Sequence, residues 1–438
     1  MTKKTISRRD FLKTAAAASG GIFVFGFLNP ERGVASAQDK TLLSFGQTWD
    51  AAFRPVQEEF DANWLAEHPD VEIEAVYSTW ADHNNTVPVW AAAGTLPDII
   101  YVHGSRVAPW AAEGIITSIQ SFVDADPEFE VEGIWEEALR LYRVDGELVG
   151  IPYDHGPLIL GYNKDLFDAA GMEYPDETWT MDMLREAAIA LSDPDNLQWG
   201  WSGELDLGAG GAGAFLGGWG GVTMNEDETE MALDTPEARA ALEWWYNLIH
   251  VDGAGPSQAQ AEGGFGDVNG PWLQGRTAMA VVPSWETPGL ARDAAFAWDV
   301  APWPEGPVKR ETGSFGSGFS ITSSSVAREA AWSYMREYLS TEGMSTVWGS
   351  TGRGSPAREA AYQSWMDSAD APEGAGYYLD ALKEYAVTGG PFQTLAAPEV
   401  LDILTRQAEL LRLAEVSVDD AVNTIMAEAT EALEALES

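Results

Sequence analysis

Several aromatic and acidic residues stand where apolar runs end rather than inside them. Trp49 and Asp50 follow Thr41–Phe45, Trp80 follows Val71–Tyr77, Trp219 lies in a glycine-rich stretch, and Trp285 follows Arg276–Val282. An indole face covers C–H patches, and a carboxylate accepts hydrogen bonds from hydroxyls. Together they suit a ring whose rim carries hydroxyls and whose faces carry C–H, the chemistry of a neutral sugar. Tyr153-Asp154-His155 adds a phenol, a carboxylate able to accept two hydroxyls, and an imidazole, while His103 and Ser105 follow the run Asp98–Val102. Gly318, in Gly316-Ser317-Gly318, lets backbone approach a ligand closely, and Arg353 is a candidate donor at the rim. Trp244, Trp245 and Trp332 fall inside helical patterns and are expected in the core.

The elements that must carry these residues alternate in type. Thr41–Phe45 is an apolar run, followed by a helical pattern through Phe53, Val56, Phe60 and Trp64. Val71–Val76 alternates as a half-buried strand, a helix is expected over about 84–93, and Asp98–Val102 is a buried strand. A second set starts near Gly150–Tyr153 and includes helices at about 181–191 and 236–250, a strand at 276–282, a strand at 319–322 and a helix at about 326–339. Residues 417–436 form an amphipathic helix. Strands alternating with helices of this length specify α/β lobes, whose strand ends line the ligand crevice. Gly208–Gly221 reads as a mobile loop: its literal G-x-G-x-x-G follows no βαβ strand, which removes the dinucleotide reading.

Residues 1–37 read as an export signal. Arg8 and Arg9 in Ser7-Arg8-Arg9-Asp10-Phe11-Leu12-Lys13 match the twin-arginine pattern, an apolar run follows, and Ala35-Ser36-Ala37 is a cleavage site that starts the mature chain at Gln38. With no cysteine in the sequence, a lipid-modified anchor and a thiolate metal site are excluded. The five histidines lack metal-ligand spacing, no P-loop occurs, and no cofactor is expected. The net charge is −44, and removing the signal leaves 19 bases against 67 acids. Such a shell repels nucleic acid and anionic membranes and points to a high-salt habitat, where screening relieves self-repulsion. About 400 mature residues imply two domains.

An ordered series of motifs then resembles a known family. Gly94-Thr95-Leu96-Pro97-Asp98-Ile99-Ile100 is followed by Asp145-Gly146-Glu147-Leu148-Val149-Gly150-Ile151-Pro152 and Leu160-Gly161-Tyr162-Asn163-Lys164-Asp165-Leu166-Phe167. Gly275-Arg276-Thr277-Ala278-Met279, Ser284-Trp285 and Ala330-Ala331-Trp332 come later. Together they are similar to the extracellular solute-binding proteins of carbohydrate ABC importers, the group that includes maltose-binding protein.

The resemblance implies a two-lobed, periplasmic-binding-protein-like (type II) α/β fold with discontinuous lobes and a three-strand hinge. Crossovers are expected near Pro152, Pro283 and Ser320, giving a first lobe of residues 38–152 and 284–320 and a second of 153–283 and 321–438. It also implies no enzymatic activity, a monomer outside the cytoplasm, a carbohydrate ligand, and permease subunits as partners. Tyr153, Asp154 and His155 fall at the first crossover, where relatives meet their ligand, and His103 and Ser105 at the corresponding place in the first lobe. Importer subunits for a polyamine or glycerol phosphate, and a secreted glycan-active enzyme, remain the alternatives.

Overall fold

The computed structural model describes residues 40–48, 53–208, 211–265, 270–388 and 393–436. The signal region and the Trp49-Asp50 pair lie outside them. Strands β1 (Thr41–Thr48), β2 (Val71–Ser78) and β3 (Ile99–His103) open the chain, followed by β4 (Arg143–Val144), β5 (Glu147–Leu148) and β6 (Ile151–Pro152). Next come β7 (Gly156–Asn163), β8 (Trp199–Trp201), β9 (Thr277–Pro283) and β10 (Trp298–Ala301), then β11 (Thr312–Phe315), β12 (Ser317–Ile321) and β13 (Ala386–Val387).

Two large open sheets result, beside a two-stranded ribbon of β4 and β5. The first has the order β2-β1-β3-β12-β6, with β1, β2 and β3 parallel and β12 antiparallel to its neighbours. Phe45, Ile99, Val102 and Phe319 pack there with Tyr334 and Tyr338 of the helix Arg328–Tyr338. The second sheet has the order β13-β11-β7-β9-β8, with β10 also on β7. Its central strands are apolar on both faces because helices cover both: Leu158, Leu160, Met279 and Val281 face one layer, Ile159, Ala280 and Val282 the other.

Local signals set the helix ends. Thr79 Oγ1 accepts from Asp82 N–H to start Trp80–Ala93, and Gly94, at φ 66°, ends it. Thr235 and Ser417 cap Pro236–His250 and Val418–Glu434 in the same way. The first of these helices begins earlier than the apolar pattern suggests because the cap, not the pattern, fixes its start.

The chain passes between the lobes three times. The first passage joins β6 to β7 across residues 153–155. The other two differ from the expected positions. Pro283 pairs with Leu158 inside the second sheet, and β10 returns to β7, so the chain stays in the second lobe until Gly316 joins β11 to β12. After β12 it remains in the first lobe: Trp332, Met335, Met344 and Trp348 join the core around Phe45, and Tyr362 is the first residue back in the second lobe's core. The first lobe is therefore 40–152 with 317–361, and residues 284–315 belong to the second. A proline-ended strand followed by polar residues resembles a lobe exit, but strand pairing, which sequence spacing does not encode, keeps it in its own sheet.

The glycine-rich stretch is also more ordered than a mobile loop. Residues Gly211–Leu216 form a helix and Gly217–Trp219 a 3-10 turn. A Cβ on Gly213 would lie 2.8 Å from Gly313 Cα, and one on Gly221 would lie 2.8 Å from Ala238 Cα. Glycine is needed there for backbone packing rather than for motion.

Candidate functional site

The hinge is the floor of the site. Asp154, half-buried, accepts a 2.6 Å hydrogen bond at Oδ1 from Ser317 N–H, tying the first passage to the second. Gly316 lets them meet, since a Cβ there would lie 2.1 Å from Asp154 O. Burial raises the Asp154 carboxyl to about 7, against the opposing pull of the Ser317 N–H and the Arg353 charge. The third passage lies against the first through the bridge between Asp154 and Pro356, and Ser355 Oγ donates to His155 O at 3.0 Å.

Aromatic rings cross this floor from lobe to lobe. Trp80, 48% exposed at the start of its helix, meets His103 edge to face at 5.9 Å. His103 meets Phe315 at 5.9 Å, and Phe315 meets Trp285 at 5.0 Å. Phe315, at the end of β11, packs against the cores of both lobes, so the series Trp80–His103–Phe315–Trp285 spans the junction. Trp285 is held by the 3-10 turn Ser284–Glu286, where Ser284 Oγ and Ser355 Oγ lie 2.7 Å apart. Gly156 is confined beside it: a Cβ would lie 2.6 Å from Ser284 Oγ and 3.4 Å from the Trp285 ring.

His103 is buried and neutral, its pKa lowered to about 4 by burial and by the Arg106 charge. Its Nδ1 lies 2.8 Å from Ser105 Oγ and 3.4 Å from Ser105 N, capping the helix that follows. Arg353 is half-buried, its guanidinium 5.5 Å from the Phe53 ring centroid and 5.3 Å from that of Trp348. Gly354 follows directly, and a Cβ there would be 3.7 Å from Trp285 Cα.

Three further carboxyls on the second lobe were not singled out by sequence reasoning. Glu286 is solvent-accessible, yet the protein around it raises its pKa to about 7. Burial, reinforced by the charges of Glu286 and Asp206, raises Glu204 to about 8, against Arg412 and the Val281 N–H. Asp206 rises to about 6 through burial, opposed by the Gly208 N–H and by Arg412. The available signals were Glu286 directly after Trp285, and Glu204 and Asp206 in the stretch that follows the strand Trp199–Trp201. Phe315 was not singled out, because only the pairing of β11 with β7 puts it at the hinge.

The structure thus brings together Trp80, His103, Ser105, Asp154, Trp285 and Arg353. It separates the others. Trp219 is 7% exposed, 5.4 Å from the Trp244 ring in the second lobe's core. Tyr153 is buried and stacked on Trp348 at 4.1 Å, its phenol turned into the first lobe. A Cβ on Gly318 would lie 2.4 Å from Ile151 O, so that glycine serves pairing within the sheet rather than ligand approach. His155 is 1% exposed, and neither ring nitrogen has a hydrogen-bond partner. It lies within the hinge, held neutral by burial and by the Arg140 charge.

Comparison with known proteins agrees with this architecture. The family described as bacterial extracellular solute-binding protein matches residues 47–345. A lipoprotein of uncharacterised role from Streptomyces antibioticus is 24% identical over 61% of this chain, and the match spans 59% of that protein's length. The maltodextrin-binding protein MdxE of Bacillus subtilis is 21% identical over 89% of this chain and 91% of its own. An ABC substrate-binding protein of Listeria monocytogenes, solved in complex with cycloalternan, superposes with a TM-score of 0.82 at 22% identity, covering 90% of this chain and all of that one.

Proposed function

This chain belongs to the bacterial extracellular solute-binding protein family, and on that premise we propose that it is the ligand-capturing subunit of a carbohydrate ABC importer. The observation that carries the reading is the series of rings across the hinge, from Trp80 and His103 to Phe315 and Trp285, with Asp154 and Glu286 beside it. Rings cover the C–H faces of a sugar, and carboxyls take its hydroxyls. Because the groups come from both lobes, a sugar between them favours the closed arrangement by its differential contacts, and the closed form is then presented to a permease. No bond of the sugar is broken in this role. The maltodextrin-binding relative and the cycloalternan-bound neighbour support a saccharide cargo.

Export by the twin-arginine route, with a mature chain from Gln38 working as a monomer in a saline environment, completes the reading. It rests on Arg8-Arg9, on Ala35-Ser36-Ala37 and on the acidic composition. The relative described as a lipoprotein anchors differently, since this sequence has no cysteine to carry a lipid. A second cargo, sn-glycerol 3-phosphate, is suggested by a binding protein of Pectobacterium atrosepticum that is 28% identical over 186 residues. Against it stands the acidic composition: a dianionic phosphate wants several bases around it, and the chain from residue 38 has only 19 bases against 67 acids.

The test is calorimetric titration of the chain from Gln38 in molar salt, against mono-, di- and oligosaccharides, glycerol phosphate and polyamines. Saturable binding of one saccharide, recovered intact, is the expected result. Cleavage of the saccharide, or binding of the phosphate or a polyamine alone, overturns the proposal.

A further inference from the structure

The outer end of the second lobe carries a cavity that shares no residue with the inter-lobe site. It holds about 290 Å³ and is lined by Tyr162, Asp299, Glu373, Gly374, Tyr377 and Asp380, among others. Strand β7 starts beside the hinge at Gly156 and reaches Tyr162 roughly 20 Å away, at about 3.3 Å per residue. There β10 runs beside it, with Asp299 opposite Tyr162. Asp299 is 6% exposed, and its Oδ1 accepts the N–H of Gly374 at 2.8 Å and that of Val300 at 2.9 Å. Its Oδ2 accepts the Tyr162 hydroxyl at 3.5 Å. Gly374 permits this close packing, since a Cβ there would lie 2.4 Å from Val300 O. The helix Gly376–Glu384 supplies a further wall, with Tyr377 and Asp380 three positions apart and so on one face.

The charged side chains lining this cavity are all carboxylates: Asp299, Glu373 and Asp380. At its edge the chain already places an alkylammonium, for Lys164 Nζ lies 3.0 Å from Glu373 Oε2 and 3.5 Å from Asp299 Oδ2. One ammonium against three carboxylates leaves Asp380, an exposed side chain beside Tyr377, unmatched. Burial raises the Tyr377 phenol, and Glu177, Asp299, Asp176 and Asp380 raise it further, so negative potential converges on that ring. A tyrosine face attracts a cation, and a carboxylate beside it accepts the cation's N–H bonds. We propose that this cavity is a second binding site, separate from the inter-lobe cleft, which takes a small primary amine, its ammonium on Asp380 and Glu373 and its methylenes against Tyr377 and Tyr162. An anionic ligand would meet three like charges there, and a neutral one would gain nothing from the field. The site goes beyond the carbohydrate reading and does not rest on it.

The test is calorimetric titration of the chain from Gln38 with n-butylamine and with putrescine in molar KCl, where a Debye length of about 3 Å removes general attraction to the acidic shell and leaves contact pairs. Saturable binding with a Kd of about 1 mM or tighter is expected, with a Tm that rises as amine is added. Asp380→Asn, a change at an exposed side chain, and Tyr377→Ala should each weaken amine binding at least about fivefold and leave saccharide binding within about twofold of wild type. Trp285→Ala should leave the amine Kd unchanged. Absence of amine binding overturns the inference, as does n-butanol binding as tightly as n-butylamine. So does wild-type amine affinity in both folded variants, Asp380→Asn and Tyr377→Ala. Loss of amine binding in Trp285→Ala, or displacement of the amine by a saccharide, would put the amine in the cleft and overturns it as well. The two readings fail separately: silence of every saccharide strikes the carbohydrate cargo, while the amine titrations alone decide this site.

Discussion

Replacing Trp285 by alanine tests the central step of the argument. The ring is partly buried and rests against Phe315 at 5.0 Å, so part of its surface remains open. If a sugar covers that surface, the loss is about 80 Å² of the 150–250 Å² an aromatic side chain can bury. At about 25 cal/mol per Å² this comes to ~2 kcal/mol, or ~30-fold in Kd. Trp285→Phe keeps a face of smaller area and should lose only about three- to fivefold by the same scaling. Titration of wild type and both variants with the same saccharide gives the Kd values, and thermal melts show whether each remains folded. A folded Trp285→Ala that binds within about twofold of wild type would refute the ring series as the sugar platform, and with it the observation on which the function rests.

Three other outcomes follow from the same geometry. Trp219→Ala removes a core residue, so it should destabilise the fold by about 3–5 kcal/mol in urea titration while the folded fraction binds as wild type; a weakened Kd without lost stability would return Trp219 to the site. Gly316→Ala drives a Cβ to within 2.1 Å of Asp154 O, a backbone atom that cannot turn away. It should cost about 2–3 kcal/mol by overpacking, and an unchanged urea midpoint would show that the two passages do not meet so closely. The carboxyls of Asp154, Asp206, Glu204 and Glu286 are all raised above their ordinary values, to about 7, 6, 8 and 7. The folded protein thus holds protons that the unfolded chain has released. Their contribution is complete below pH ~4 and is lost as pH rises toward ~8, so the Tm of the unliganded protein should fall from pH 5 to pH 8. Glu286→Gln should flatten that slope; a Tm that climbs over the same range would contradict the assignment.

Much of this protein was legible in one dimension. Apolar runs identified β1, β3 and β9, because a strand buried between layers must be apolar in the sequence itself, and alternation identified the half-buried edge strand β2. The helices expected at about 236–250 and from 417 start where they do because Thr235 and Ser417 cap them, and a cap is a local bond. Trp80, His103, Asp154 and Trp285 could be named as candidates because each lies at or just beyond the end of a strand, which is where α/β lobes expose their crevices. Composition alone set the acidic surface and the lack of thiol chemistry.

What the tertiary structure decided were the long-range pairings. Trp219 and Trp285 look alike in sequence, each an indole beside small or polar residues. Only the packing of helix Pro236–His250 against the first, through Trp244, and the hinge beside the second separates core from site. Tyr153 and Asp154 are adjacent, yet one stacks on Trp348, about 200 positions later, and the other binds Ser317. The lobe boundaries depend on β10 returning to β7 and on Tyr334 and Trp348 packing beneath the first sheet. Such contacts form between residues far apart in the chain, where burial and shape choose the partner and no local propensity records the choice.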